Sequence, residues 1–290
     1  MPKIKLVRPI GPLSTDLPER IDNPSPDGKW NLIVHTPKEF HMGADGWQVK
    51  LFHRGHNITA KHNDFFRIAD GKGFRWERHF QPWSLDSKSL AMVTWDKTPI
   101  HLYQIADKRD IPLNYQPRFV RSAQWAPDID RLLLTFTIEG VLVNQTGEQQ
   151  ALVRGGIEEG QTMHTHWMKA GKCFFILARQ TNNSKTTIRF YSGLDGALQE
   201  THDLDPMDLV PYNWEDFVEM PRDRLCLEVV DSAIGAAGSM LDIWSSVLFD
   251  QASSSLLLAV FRPVSSPYRK NGELLCKVKQ TWIAVEIDPD

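Results

Sequence analysis

The chain has 290 residues, of which 41% are hydrophobic and 24% are charged, and its formal net charge at pH 7 is −3. These values are those of an ordinary globular protein and exclude an intrinsically disordered chain. No stretch approaches the roughly 18 apolar residues of a membrane-spanning helix, and residues 1–10 lack the apolar core of a signal peptide. The sequence therefore predicts a cytoplasmic protein with no membrane partner.

The first predicted elements are an apolar-alternating strand over residues 1–10 and a proline-marked linker over residues 11–24. A polar turn at residues 25–28 then leads into an apolar strand, and a loop over residues 36–46 separates that strand from the next. Long loops of repeat proteins frequently carry binding residues. His41, Asp45 and Trp47 are therefore candidate binding residues.

Three tryptophans, Trp83, Trp125 and Trp167, follow at intervals of 42 residues. Each precedes a tight polar turn and then an apolar strand. Asp86 and Asp128 lie three residues after the first two tryptophans, where a carboxylate can accept hydrogen bonds from turn amides. One such hairpin buries too little apolar surface to be stable alone, so neighbouring units must cover each other.

A strand-rich period of 40 to 45 residues is typical of a propeller blade. Weaker copies of the same turn extend the repeat to both ends, which places the unit anchors near residues 24, 83, 125, 167, 220 and 250. The sequence predicts one all-β domain over residues 1–290, a β-propeller of four-stranded antiparallel blades. Six blades are favoured, with five or seven as alternatives, and residues 3–8 are the candidate strand for closing the ring.

The segment from Trp83 to Ile105 carries a resemblance. It contains Leu90-Ala91, Trp95-Asp96 and a strand that ends at Tyr103, and Ser25-Pro26-Asp27-Gly28 repeats the turn. This pattern resembles the WD40 and WD40-like (TolB-type) propeller repeat. Tyr103 stands where that repeat has tryptophan, and Gly55-His56 is the only Gly-His pair. The resemblance implies the architecture and brings no catalytic residues with it.

The residues just before the aligned tryptophans are predicted to approach the central channel. Among them are Arg121, His164 and His166, and the two histidines share one side of a strand because they are two residues apart. With Glu158 or Glu159 as a third ligand, His164 and His166 are candidate metal ligands. The alternative is a pair of histidines that hydrogen-bond inside a polar channel, and no metal or cofactor is predicted.

Charge is distributed unevenly along the chain. Residues 50–78 contain seven Lys or Arg and three acidic residues, whereas residues 200–250 contain twelve acidic residues and two Arg. We expect one basic and one acidic flank, or a solvated rim without a partner. The basic segment is interleaved with aromatics, as in nucleic-acid binders, but core aromatics give the same pattern, and nucleic acid is not the favoured partner. Cys173, Cys226 and Cys276 lie in apolar runs, which is typical of buried free thiols.

The sequence contains no G-x-S-x-G nucleophile motif and no phosphate-binding P-loop. It favours a non-enzymatic scaffold that binds another protein or a peptide across one face of the propeller. One alternative is a hydrolase or lyase that works in the central pocket with His164, His166 and Glu158 or Glu159. A third hypothesis is a carbohydrate-binding propeller that uses aromatic residues of its rim.

Overall fold

Strands dominate the computed structural model of the chain, and a single short 3-10 helix, Thr59–His62, accompanies them among the described residues. The strands are short, and most are joined by turns of two to six residues, which is the pattern of antiparallel meanders. The structure describes residues 3–11, 20–35, 48–62, 74–75, 81–94, 100–113, 120–136, 139–153, 161–168, 171–180, 186–205, 218–221, 247–250, 253–263 and 268–288.

After the first strand, β1 (Lys3–Gly11), sixteen strands form four antiparallel sheets in chain order. Sheet 1 contains β2 (Arg20–Pro24), β3 (Trp30–His35), β4 (Gln48–His53) and β5 (His56–Asn57). Sheet 2 contains β6 (Phe74–Arg75), β7 (Ser89–Thr94), β8 (Ile100–Gln104) and β9 (Arg109–Ile111). Sheet 3 contains β10 (Val120–Trp125), β11 (Leu132–Phe136), β12 (Gly140–Val143) and β13 (Gln149–Val153). Sheet 4 contains β14 (Gln161–Trp167), β15 (Cys173–Gln180), β16 (Thr186–Ser192) and β17 (Leu198–Leu204).

A last sheet combines the two ends of the chain. It contains β18 (Val218–Pro221), β19 (Val247–Asp250), β20 (Ser255–Pro263), β21 (Tyr268–Lys270), β22 (Glu273–Asp288) and the amino-terminal β1. β1 pairs with β22 from Lys3 opposite Asp288 to Gly11 opposite Trp282. The first strand of the chain therefore lies at the outer edge of the last sheet.

Sheets 2, 3 and 4 are packed on both faces, and the three leucines of β11 show why that strand is continuously apolar. Leu132 and Leu134 pack against sheet 2, whereas Leu133 packs against sheet 4. All three are fully buried, because successive side chains of a strand point to opposite faces. A strand with neighbours on both sides cannot show the apolar–polar alternation of a half-exposed strand.

The hydrophobic core is divided into four clusters, each lying between two consecutive sheets. They join sheet 1 to sheet 2, sheet 2 to sheet 3, sheet 3 to sheet 4, and sheet 4 to the last sheet. The first strands of sheets 3 and 4, β10 and β14, lie next to each other, which places them on the inside of the arc. Consecutive antiparallel sheets packed face to face in this order are the blades of a β-propeller.

The described residues form five sheets, and the anchors predicted at residues 220 and 250 both belong to the last one. β18, which contains residue 220, pairs with β22 from Val218 opposite Val278 to Pro221 opposite Leu275. Residues 206–217 and 222–246 lie outside the described part of the chain. The number of blades and the closure of the ring therefore stay predictions.

Candidate functional site

In a four-stranded antiparallel sheet the chain runs in the same direction along the first and third strands. The turns that follow these two strands therefore lie at the same end of the sheet. Backbone hydrogen bonds join them: Arg54 N to Lys29 O at 2.8 Å, Ile105 N to Lys88 O at 3.0 Å, and Gly193 N to Lys172 O at 2.7 Å. We call this surface the turn face. It comprises residues 25–29, 54–55, 84–88, 105–108, 126–131, 144–148, 171–172 and 192–197.

The turn between β2 and β3 of sheet 1 is stabilised by hydrogen bonds to its own side chains. The Ser25 hydroxyl donates to Asp27 Oδ1 at 2.7 Å, the Lys29 amide donates to the same oxygen at 3.0 Å, and the Trp30 amide donates to Ser25 Oγ at 3.0 Å. The hydrogen bond from Ser25 is the main reason that the pKa of Asp27 lies well below its usual range. The turn before β7 of sheet 2 repeats these three hydrogen bonds with Ser84, Asp86, Lys88 and Ser89.

Turns of neighbouring sheets also contact each other. The Asp27 amide donates a hydrogen bond of 3.0 Å to the Ser87 hydroxyl in the next turn. Between sheets 3 and 4, the carboxylate of Asp128 lies against Gly171, and a Cβ on Gly171 would collide with it. Burial raises the pKa of Asp128, although the nearby Lys172 opposes this effect. Such contacts make the turn face a continuous surface rather than a set of independent loops.

The exposed side chains of the turn face are of mixed character. Leu85 and Leu194 are 39% and 64% exposed, respectively. Charged residues alternate in sign, and three cations form ion pairs with an aspartate two residues earlier: Asp27–Lys29 at 3.1 Å, Asp86–Lys88 at 3.3 Å and Asp107–Arg109 at 3.5 Å. Ion pairs this exposed contribute little stability, so their main effect is on the charge pattern that a partner would meet.

A buried polar contact joins sheet 1 to sheet 2. His62, at the end of the 3-10 helix, is 6% exposed, and its Nδ1 lies 2.7 Å from the hydroxyl oxygen of Tyr103. The two rings meet edge to face with centroids 5.8 Å apart. Burial lowers the pKa of His62, and the positive charges of Lys108 and Lys61 lower it further, so the imidazole is neutral at pH 7.

The sequence identified Tyr103 as a departure from the repeat pattern but did not identify His62 as its partner. The two residues are 41 positions apart, His62 in the 3-10 helix that follows sheet 1 and Tyr103 in β8 of sheet 2, and no local motif marks His62. Another histidine, His101 in β8, contacts the Asp110 carboxylate through Nδ1 at 2.9 Å. Asp110 lies opposite Tyr103 in the β8–β9 pair, which places both polar contacts on the same face of sheet 2.

His166, predicted to approach the central axis, lies between sheets. It is 6% exposed, and its ring centroid lies 5.3 Å from that of Phe175 and 5.3 Å from that of Phe249. Phe249 belongs to the last sheet, so His166 packs into the contact between sheet 4 and its neighbour. Side chains of a blade strand point alternately toward its two neighbouring blades, which accounts for this position.

The other predicted site residues are only partly within the described structure. For Arg121 and His164 it describes backbone positions, in β10 and β14, with His164 opposite Leu177. His41, Asp45, Trp47, Glu158 and Glu159 lie outside the described residues. Within the described part of the chain, no group of three or more His, Cys, Asp or Glu residues is arranged to hold a metal ion.

Cys173 is a buried free thiol, as predicted. Its burial raises its pKa to about 11, so the sulfur is protonated at neutral pH and is a poor nucleophile. Cys226 lies outside the described residues, and for Cys276 the structure gives only the backbone position in β22.

No protein-family profile matches the chain, and no curated protein is similar to it in sequence. Among solved structures, the β-propeller domain of Cps50 (Swd1) from Myceliophteria thermophila is 8% identical over 90% of this chain and 72% of that chain, with a TM-score of 0.42. A eukaryotic initiation factor is 13% identical over 64% of this chain and 42% of that chain, with a TM-score of 0.41. The WD40 domain of SCAP from fission yeast is 12% identical over 46% of this chain and 32% of that chain, with a TM-score of 0.32.

The match therefore spans less than half of the initiation factor and of the SCAP domain. Two of these three neighbours are described as a propeller or WD40 domain, which is the class of fold that the strand pairing and the four core clusters define. In the described residues, no helix is long and apolar enough to cross a membrane.

Proposed function

We propose that the protein is a non-enzymatic scaffold that binds another protein or a peptide across its turn face. The observation that carries this proposal is the hydrogen bond from the Asp27 amide to the Ser87 hydroxyl, which ties the turn of one sheet to the turn of the next. The contact of Asp128 with Gly171 links two further turns. A surface assembled from several sheets in this way is broad and already ordered.

Order of this kind favours association, because binding then costs little loss of conformational entropy in the loops. The face also presents apolar side chains at Leu85 and Leu194, and the Asp27–Lys29 and Asp86–Lys88 ion pairs lie among its turns. Exposed apolar and charged side chains offer a partner protein both contact area and charge complementarity.

The test compares leucines of the turn face with a leucine elsewhere. Leu85 and Leu152 are both 39% exposed, but Leu152 belongs to strand β13 and not to a turn. Proteins retained by the immobilised wild-type chain from its native host are identified, purified, and titrated against each variant by calorimetry. We expect Leu85→Glu and Leu194→Glu to weaken binding at least about tenfold and Leu152→Glu to leave it unchanged.

Equal loss in all three variants, or loss only in Leu152→Glu, would overturn the turn face as the binding surface. The two alternative functions are tested in parallel. Turnover of an ester or glycoside panel that His166→Ala abolishes would establish the central-pocket hydrolase or lyase instead. Specific retention of a glycan, with no protein retained, would establish the carbohydrate-binding hypothesis.

A further inference from the structure

The outer edges of the sheets differ in how well they resist pairing with a further strand. In sheets 1, 2 and 3 the outer strands β5, β9 and β13 have two, three and five residues, and a register shift interrupts the pairing of β13. In the last sheet, the outer strand β1 carries Lys3, Lys5, Arg8 and Pro9. Short strands, bulges, lysines and prolines are the features that protect a sheet edge from pairing.

The outer strand of sheet 4, β17, has a longer and less protected edge. It spans seven residues, Leu198–Leu204, and contains no lysine, arginine or proline. Its one register shift lies at the Leu198 end, so its pairing with β16 is regular from Glu200 to Leu204. Among the described residues, β17 pairs with β16 alone, so its other edge can accept a further strand.

The sequence of β17 is nearly symmetric about its central residue, Thr201. Outward from Thr201 come Glu200 and His202, then two polar residues, and then two leucines. Two copies of one strand that pair in antiparallel orientation are related by a two-fold axis through one residue, because residues opposite each other must point to the same face of the sheet. With the axis at Thr201, each Glu200 lies opposite the His202 of the second copy, and the two threonines lie opposite each other. Threonine pairs stabilise adjacent strands, and an imidazole can donate a hydrogen bond to a carboxylate in either protonation state.

The neighbouring registers lack this complementarity. An axis at Glu200 or Asp203 would place two carboxylates opposite each other, which destabilises paired strands. An axis at His202 would place Glu200 opposite the Leu204 of the second copy. The charged side chains of β17 therefore select the register with its axis at Thr201.

Glu200 and His202 already lie side by side in the single chain. Glu200 Oε1 is 3.1 Å from His202 Nε2, and both side chains are partly exposed. The imidazole meets the Phe190 ring edge to face, with centroids 5.8 Å apart, so its orientation is fixed by packing. In the paired strands each carboxylate then has one imidazole of its own chain and one of the second copy as neighbours.

We propose that β17 is a self-association edge, at which two copies of the chain pair in antiparallel orientation about a two-fold axis at Thr201. The pairing joins the four-stranded sheet 4 of each copy into one continuous sheet. One pair of short strands is a small interface, so we expect a dissociation constant on the order of 10 μM. The inference goes beyond the proposed function and does not depend on it, because it uses a strand edge and not the turn face.

Cysteine cross-linking tests the register directly. In this register the two Thr201 Cα atoms lie about 5 Å apart, within the roughly 7 Å that a disulfide can span, whereas the two Asp203 Cα atoms lie more than about 13 Å apart. Both side chains are exposed and lie on the same face of β17. We expect Thr201→Cys, under a mild thiol oxidant, to form a disulfide-linked dimer at least about tenfold faster than the matched control Asp203→Cys. The wild-type chain gives the background from its own cysteines.

Exchange of charges tests the same pairing without a covalent link. His202→Glu places carboxylates opposite each other, and Glu200→Lys places a lysine opposite an imidazole. Each variant alone should therefore associate at least about tenfold more weakly than the wild type. An equimolar mixture of the two variants should regain association, because every carboxylate in the mixed dimer then lies opposite a lysine or an imidazole. Sedimentation velocity from about 1 to about 200 μM measures all of these species.

Three results would each overturn the proposal. They are a wild-type chain that stays monomeric up to about 200 μM, equal rates of cross-linking at Thr201→Cys and Asp203→Cys, and charge variants that associate as the wild type does or fail to recover in the mixture. Urea denaturation shows whether each variant folds. The cysteine substitutions, at exposed positions, decide the matter if a charge variant does not.

Discussion

The indole nitrogen of Trp167 donates a hydrogen bond of 2.9 Å to the carbonyl oxygen of Gln124, in the first strand of the preceding sheet. The side-chain amide of Gln124 returns a bond of 2.7 Å to the carbonyl oxygen of Thr165. Trp83 makes the same contact with the carbonyl oxygen of Asn23 at 2.8 Å. Trp83 and Trp167 thus each bond to the first strand of the preceding sheet.

Trp125 occupies the same position but lacks this bond. Its Nε1 is buried and has no hydrogen-bond partner among the described residues. The three tryptophans are buried alike, with at most 3% of their surface exposed, and differ in this one bond.

This difference predicts unequal effects of substituting tryptophan by phenylalanine. We expect Trp83→Phe and Trp167→Phe to lower the free energy of unfolding by about 1 kcal/mol more than Trp125→Phe does, since only the first two lose a hydrogen bond. Urea denaturation of the three variants measures it. Three equal losses would show that apolar packing alone accounts for the period.

The period could be found in the sequence because each sheet must satisfy the same packing requirement at the same position. The apolar runs were equally informative: the run that follows Trp125 predicts an apolar strand, and the structure has β11 there. Strand pairing between distant parts of the chain is what local spacing does not give. β18 and β20 pair with the same long strand, β22, and a pairing between strands more than fifty residues apart leaves no trace in local spacing.

Gly171 provides a second test, because two independent effects oppose a side chain there. Its φ of 57° is unfavourable for other residues, and a Cβ would collide with the Asp128 carboxylate. Gly28 is the matched control, with a φ of 69° and open space around the Cβ position. We expect Gly28→Ala to cost about 1 kcal/mol from backbone strain alone.

Gly171→Ala should cost more than Gly28→Ala, on the order of 2–3 kcal/mol. In an Asp128→Ala background the cost should fall toward that of Gly28→Ala, since the colliding carboxylate is gone. The free energies of unfolding of the single and double variants measure this coupling. Additive effects would mean that Asp128 moves aside at no cost.

The His62–Tyr103 contact predicts a pH dependence of stability. The folded-state pKa of His62 lies below the ordinary value of 6.5, so between these two values the unfolded chain binds more protons than the folded one. Stability should therefore be complete above about pH 7 and fall as the pH drops below 6.5, by at most about 1.4 kcal/mol per pH unit.

His62→Gln should remove this component of the pH dependence. Tyr103→Phe should keep it, because burial and the two lysines remain, while losing about 1 kcal/mol at every pH with the hydrogen bond. Thermal unfolding between pH 5 and 8 distinguishes the two variants. A wild-type profile that matches that of His62→Gln would contradict the assignment.

The candidate sites show what sequence spacing leaves out. His164 and His166 were singled out because they are two residues apart on one strand, and this spacing does place them at register positions on the same side of β14. The spacing does not say which neighbouring element covers that side. For His166 the answer is Phe249, a residue 83 positions later in the last sheet. The contact between His62 and Tyr103 was missed for the same reason.

The pairing of β1 with β22 gives a final prediction about the ends of the chain. β1 covers the outer edge of β22, and its Ile4 and Val7 pack against the cluster between sheet 4 and the last sheet. Deleting residues 3–11 would expose the unpaired backbone edge of β22, which is a template for aggregation. We expect the truncated chain to lose several kcal/mol of stability, to aggregate, and to regain solubility when a peptide of residues 3–11 is added.

Arg8→Ala is the control, because its 3.6 Å ion pair with Glu286 is exposed and such pairs contribute less than about 1 kcal/mol. A truncated chain as stable and as soluble as the wild type, measured by urea denaturation and light scattering, would show that the last sheet does not need its amino-terminal strand.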